Sequence, residues 1–199
     1  MKLPNMVHER GRWAIHEIAH DFELLDVWAL PVEGDHDDFE RFLHAMAAVD
    51  PTAAGSVMSR GLFWIRLRLG RLLGWDDADT RRTIPGASET TLAARLPDQL
   101  RGTAPPINNT LLSAGARPLY RTDDEAAVEV SNDTVHGILH FAWVERDGGR
   151  YRAQMAIYVN PRGRLGRWYL KLIEPLRHLI VYPALMRHIG RAWEARDRH

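Results

Sequence analysis

The chain contains no cysteine. That excludes a disulfide framework, a thiol nucleophile and thiolate metal ligation. Lysine is scarce: Lys2 and Lys171 are the only two, and the remaining cationic side chains are arginine. Net charge is missing as well, with 26 Lys and Arg against 26 Asp and Glu, so the chain as a whole has no electrostatic pull toward nucleic acid. No long hydrophobic run is present. The most apolar late stretch, residues 172–186, is broken by Glu174, Arg177 and His178, so no membrane span is expected. The opening MKLPNMVHERGRW lacks the apolar segment of a secretory signal, and a cytoplasmic location is the expectation. Motifs for nucleotide binding and for serine hydrolysis are absent too. There is no Gly-x-Gly-x-x-Gly, no phosphate loop and no Gly-x-Ser-x-Gly elbow, and neither cofactor nor metal is expected.

What is present is an ordinary globular composition, 45% hydrophobic and 26% charged over 199 residues, which suits one domain spanning residues 1–199. Charge is unevenly distributed. Residues 21–50 carry nine acidic groups against Arg41 alone, while residues 150–199 carry eleven basic groups against three acidic ones. Pairing of the two regions in the fold is the expected reason.

Strand formers from Phe22 to Val32 predict an opening strand. Gly34 with Asp35, Asp37 and Asp38 then signals a helix start, and Phe39, Phe42, Leu43 and Met46 follow at helical spacing up to Pro51. A second helix is predicted on the stripe Met58, Leu62, Ile65, Leu69 and Leu72. Residues 76–118 are punctuated by Pro and Gly and read as an irregular, lid-like stretch with a short element near 91–100. Strands are predicted at 119–122, 126–130, 135–145 and 151–159, the last two joined by an Asp147-Gly148-Gly149 turn. Placing Gly148 and Gly149 at the tip sets Ala142 opposite Met155 and His140 opposite Ile157. A long helix from about Leu165 to Trp193 closes the chain, with Leu165, Tyr169, Leu172, Leu176 and Ile180 as its buried stripe, widened by Trp168, and kinks at Pro175 and Pro183.

The segments EAAVEVSNDTVHGILHFAWV (125–144), GRLGRWYLKLIEP (163–175) and LRHLIVYPALMRHIGRAW (176–193) resemble a family of proteins of unknown function, DUF2867, within the START-like (SRPBCC, helix-grip) superfamily. The resemblance implies an α+β helix-grip fold, an antiparallel sheet curved around a long C-terminal helix with a cavity between them. It brings no activity with it. Members more commonly read His-Leu-Asp-Phe-Arg where this chain has His136-Gly137-Ile138-Leu139-His140, so chemistry resting on that Asp and Arg is not carried over.

The expected function is binding of a small apolar or amphipathic molecule in that hydrophobic cavity. His136, Ile138, His140, Met155, Ile157, Tyr169, Leu172, Leu176 and Arg177 are its expected lining. His136 and His140 lie about 13 Å apart along one strand, too far to share a metal ion but suited to polar anchoring or acid–base work. Arg177 can clamp an acidic group, or else pair with the acidic residues near 33–40. Glu125, Glu129, Asn132, Asp133 and Thr134 read as a solvated turn, and Asp35-His36-Asp37-Asp38 as helix-start acids. Two rival readings stay open: an enzyme of cyclase or hydratase type using His140 or His136 as general base, and a ligand-free accessory domain filled by its own tryptophans.

Overall fold

The computed structural model describes residues 1–48, 92–113, 116–131, 135–161 and 163–196. The helix expected at residues 56–74 and the first part of the 76–118 stretch lie outside the described residues. In chain order the elements are β1 (Lys2–Leu3), α1 (Asn5–Glu9), α2 (Ile15–Ile18), β2 (Glu23–Gly34), a 3-10 turn (His36–Asp38) and α3 (Phe39–Ala48). Two further 3-10 turns (Leu92–Arg95 and Asp98–Leu100), α4 (Asn109–Ser113), β3 (Ala116–Arg121), β4 (Glu125–Ser131), β5 (Val135–Glu145) and β6 (Tyr151–Pro161) follow. The chain then runs through α5 (Gly163–Leu176), a π-helical turn (Arg177–Val181) and α6 (Tyr182–Arg196). The six strands of the described residues form one antiparallel sheet in the order β1-β2-β6-β5-β4-β3.

Each expected strand is present, and the helix-start signal is a capping box in which Asp35 and Asp38 satisfy each other's backbone N–H groups. The indole of Trp143 donates to the Asp35 carbonyl at 2.9 Å and fixes the start of α3 against β5. Phe39, Phe42, Leu43 and Ala45 are the buried face of α3.

The β5–β6 register differs by one residue from that expected. Phe141 faces Met155, His140 faces Ala156 and Ala142 faces Gln154. The connection is a five-residue loop closed by Arg146 N–H to Arg150 C=O at 2.7 Å, with Gly148 and Gly149 both at positive φ, so its centre is Gly148 rather than the bond after it. A slip of one residue moves every partner to the other face.

Both faces are covered. One carries Trp28, Leu30, Phe141, Trp143, Ala153 and Met155 against Phe39 and Phe42 of α3 and Tyr182, Ile189 and Trp193 of α6. The other carries Val27, Ala127, Ile138, Ala156 and Tyr158 against Ile15 and Ile18 of α2 and Leu92 and Leu96 of the 3-10 turns. Residues 92–96 of the irregular stretch are therefore part of a packed layer. A Cβ added at Gly190 would meet Pro31 at 3.3 Å, which shows how closely α6 approaches β2.

The C-terminal helix corrects a second expectation. Leu172 and Trp168, expected on the buried stripe, are 65% and 72% exposed, and Ile173 is buried instead. The side chains of Leu165, Tyr169, Leu176 and Ile180 lie outside the description. Pro175 and Pro183 each remove an N–H from the helical ladder, and between them the chain widens into a π-turn, which shifts the pairing over the missing donors.

Candidate functional site

The polar cluster of greatest chemical interest lies on the second face, away from the C-terminal helix. It starts from two short helices. Asn5 Nδ2 donates to the Leu24 carbonyl at 2.7 Å and ties α1 to β2, and the Ala14 N–H donates to Glu125 Oε1 at 2.8 Å and ties α2 to β4. These anchors lay His8, Trp13 and His16 over β4, β5 and β6. His8 is the hub: its ring lies 5.0 Å from that of His140, 5.6 Å from His16, 5.9 Å from Trp13 and 5.9 Å from Tyr158, between ring centroids.

Beneath the hub runs a chain of hydrogen bonds. His140 Nε2–H donates to Glu125 Oε2 at 2.7 Å, and the same oxygen accepts the Tyr120 hydroxyl at 2.8 Å. All three side chains are buried. The carboxylate fixes the tautomer and orientation of the His140 ring and leaves Nδ1 with its lone pair toward the cluster. On the other side His8 Nδ1–H donates to the amide oxygen of Gln154 at 2.8 Å, leaving Nε2 as an acceptor. Five buried polar atoms of this cluster have no hydrogen-bond partner among the described residues: His8 Nε2, Trp13 Nε1, His16 Nε2, His140 Nδ1 and the Tyr158 hydroxyl. Unmet buried groups normally cost about 1–3 kcal/mol each, so five gathered around one histidine call for a ligand-related explanation.

Electrostatics disfavour protonation of His8 and His16. Burial, reinforced by the charge of His140, pushes His8 down to about 3, and the same two causes lower His16. Burial alone would raise Glu125, but the hydrogen bonds from His140, the Ala14 N–H and Tyr120 outweigh it and hold the carboxyl below its usual range. Burial and then the Glu125 charge push the Tyr120 and Tyr158 hydroxyls up, so both remain donors.

A pocket of about 260 Å³ opens onto this cluster. His16 and Tyr158 line it, with Glu9, Ala19, His20, Phe22 and Leu24 completing the wall. A larger cleft of about 690 Å³ between α3 and the β3–β4 turn includes Asp37, Glu40, Arg121 and Asp123. Its size does not make it the better candidate. Arg121 already bonds Glu40 at 2.7 Å and Asp37 stands in solvent, so no buried polar group there is left unmet. Among the described residues no three His, Asp or Glu side chains are arranged to hold a metal ion.

The structure divides the lining expected from the sequence. His136, Ile138 and His140 are on the α2 face, with His136 bonded to Glu129 and stacked edge-on against Phe22. Met155 and Ile157 pack on the α6 face, so the two groups cannot line one cavity. Leu172 points to solvent, and nothing is described of the Tyr169 and Leu176 side chains. Arg177 lies beside Asp26 of β2 at 3.6 Å rather than near 33–40, and His178, Lys2 and Tyr182 bind the same carboxylate at 2.9, 2.8 and 3.2 Å. Glu125 and Glu129, read from sequence as a solvated turn, are both buried. His8, Trp13, His16, Tyr120, Gln154 and Tyr158 were not singled out by sequence. One signal was available: Glu125 and Glu129 are spaced by four on β4, as His136 and His140 are on β5, so two Glu–His pairs can form side by side across one hairpin.

No curated protein and no solved structure matched the chain. A family profile did, over residues 18–184, a span that takes in Tyr120, Glu125, His140 and Tyr158 and leaves out His8, Trp13 and His16. With most of its length matched, and with the segments at 125–144 and 163–184 inside that span, the chain belongs to the DUF2867 family of proteins of unknown function.

Proposed function

We propose that this protein binds a small, uncharged, hydrogen-bonding molecule in the pocket at His16 and Tyr158 and acts on it by general acid–base catalysis. The observation that carries the proposal is the set of five buried polar atoms, unpartnered among the described residues, beside a carboxylate-oriented histidine. Tyr158 and Trp13 supply donors, and His8 and His140 supply ring lone pairs. A charged ligand would add a second uncompensated charge beside Glu125, whereas a neutral one meets the free groups without that cost. His16 and Tyr158 touch the molecule, while His140, held by Glu125 and Tyr120, accepts or returns the proton behind them. Proton transfer of this kind serves isomerisation, hydration or cyclisation of a neutral substrate. The antiparallel sheet with a C-terminal helix laid on one face supports a helix-grip reading of the whole chain, with the working pocket on the opposite face of the sheet.

Ligand-observed NMR with neutral fragments (phenol, pyrazole, benzamide) and charged counterparts (benzoate, benzamidine) tests this. Saturable binding of a neutral fragment is expected, weakened about tenfold or more in His16→Ala and in Tyr158→Phe, the scale of one lost hydrogen bond. Absence of saturable binding, or binding that both variants retain, overturns the reading.

A further inference from the structure

Helix α5 and the π-helical turn after it turn an apolar stripe away from the protein. Trp168, Leu172, Pro175 and Leu179 recur at intervals of four, three and four residues, the spacing of one helical face, and all four are exposed. Leu179 is 77% exposed, the largest value of the three hydrophobic side chains. The opposite face, with Gly166 and Ile173, is buried. Exposed Arg167, Lys171 and Glu174 run along one edge of the stripe, each one position before a stripe residue, so that edge carries two cations to one acid. The helix is strongly amphipathic while its average hydropathy is close to neutral. Contiguous exposed apolar surface of this kind marks an interaction site.

We propose that this stripe docks on an anionic lipid bilayer. Trp168, Leu172 and Leu179 enter at headgroup depth, and Arg167 and Lys171 pair with lipid phosphates. Charge complementarity carries the choice of occupant. A basic edge beside an exposed Trp/Leu face on a helix of low net hydrophobicity is the pattern that lies in a membrane interface, inserting about 5–10 Å. A second copy fits less well, since a symmetric pair would set Arg167 and Lys171 against their own counterparts. The helix rests on the surface and does not cross it: among the described residues none is long and apolar enough to span.

Co-sedimentation of the full chain with vesicles tests the proposal. Phosphatidylcholine vesicles containing phosphatidylserine should bind at least about tenfold more tightly than pure phosphatidylcholine vesicles, with the advantage lost in high salt. Arg167→Gln and Lys171→Gln should each weaken binding about fivefold. Leu172→Asp combined with Leu179→Asp should abolish it while leaving the thermal midpoint unchanged, because both side chains already stand in solvent. Lack of binding to anionic vesicles, or binding that the double Asp variant keeps, overturns the proposal. So does a concentration-dependent dimer that Leu172→Asp dissolves, which would assign the stripe to a second copy.

Discussion

At the scale of single residues, the second face of the sheet is governed by what burial does to a histidine. His8 is fully enclosed and its conjugate acid is disfavoured down to about 3, against an ordinary value of about 6.5. The folded chain therefore refuses a proton that the unfolded chain accepts. Below pH 6.5 the unfolded state gains, and stability falls by up to about 1.4 kcal/mol per pH unit until pH nears 3; above 6.5 the contribution is fully present. Urea midpoints measured from pH 7 to 5 should fall for the native protein, and His8→Gln should remove the larger part of that slope. The window is clean with respect to Glu125 and Asp26, both held below the usual carboxylate range, so their contributions are lost only at lower pH. An unchanged slope in His8→Gln would mean that the ring is not enclosed as described. Glu125→Gln probes the same cluster from beneath. It leaves the Tyr120 and His140 donors facing a weaker acceptor and should cost about 1–3 kcal/mol.

At the scale of elements, the C-terminal helix separates what patterning can and cannot say. Truncating Leu172 to Ala should change stability by less than about 0.5 kcal/mol, because the side chain is in water. Ile189→Ala, on a fully packed turn of α6, should cost about 2–5 kcal/mol, and equilibrium denaturation of the two variants checks both. The existence of this helix and of five strands was legible, as was the helix start at Asp35, since each rests on local signals. Orientation was not. Trp168 and Leu172 are as hydrophobic as a core stripe requires, so periodicity alone could not tell the outward face from the inward one. The hairpin failed for a related reason. With both faces of β5 and β6 covered, apolar residues occupy both parities, and Ile138 beside Leu139 gives no alternation to fix the register. Of the candidate site, the sequence singled out His140. Its other members come from four separate segments, and no short spacing connects His8 to Gln154 or His16 to Tyr158.

At the scale of the whole molecule, the uneven charge along the sequence is resolved by pairing. Arg150 meets Asp35 at 3.0 Å, Arg152 meets Glu33 at 3.7 Å and Arg177 meets Asp26 at 3.6 Å, each joining the basic late region to the acidic early one. The first two are on the surface and contribute little individually. Asp26 is different in kind, because it is buried and binds three parts of the fold at once: Lys2 of β1, its own strand β2, and Arg177, His178 and Tyr182 of the C-terminal helical run. Burial would raise its pKa, but the hydrogen bonds from Lys2 and His178 prevail and lower it, so the carboxylate stays ionised. Its stabilising contribution is present above the ordinary carboxyl value and is lost as pH falls through the depressed one. Asp26→Asn removes the only acidic group described beside Arg177 and strands a nearly buried guanidinium, so a loss of about 3–5 kcal/mol is expected. Arg177→Leu should cost less, since Lys2 and His178 still hold Asp26. Denaturation of the two variants at neutral pH gives the order directly. Equal losses would mean that the arginine, not the shared carboxylate, joins the helix to the sheet.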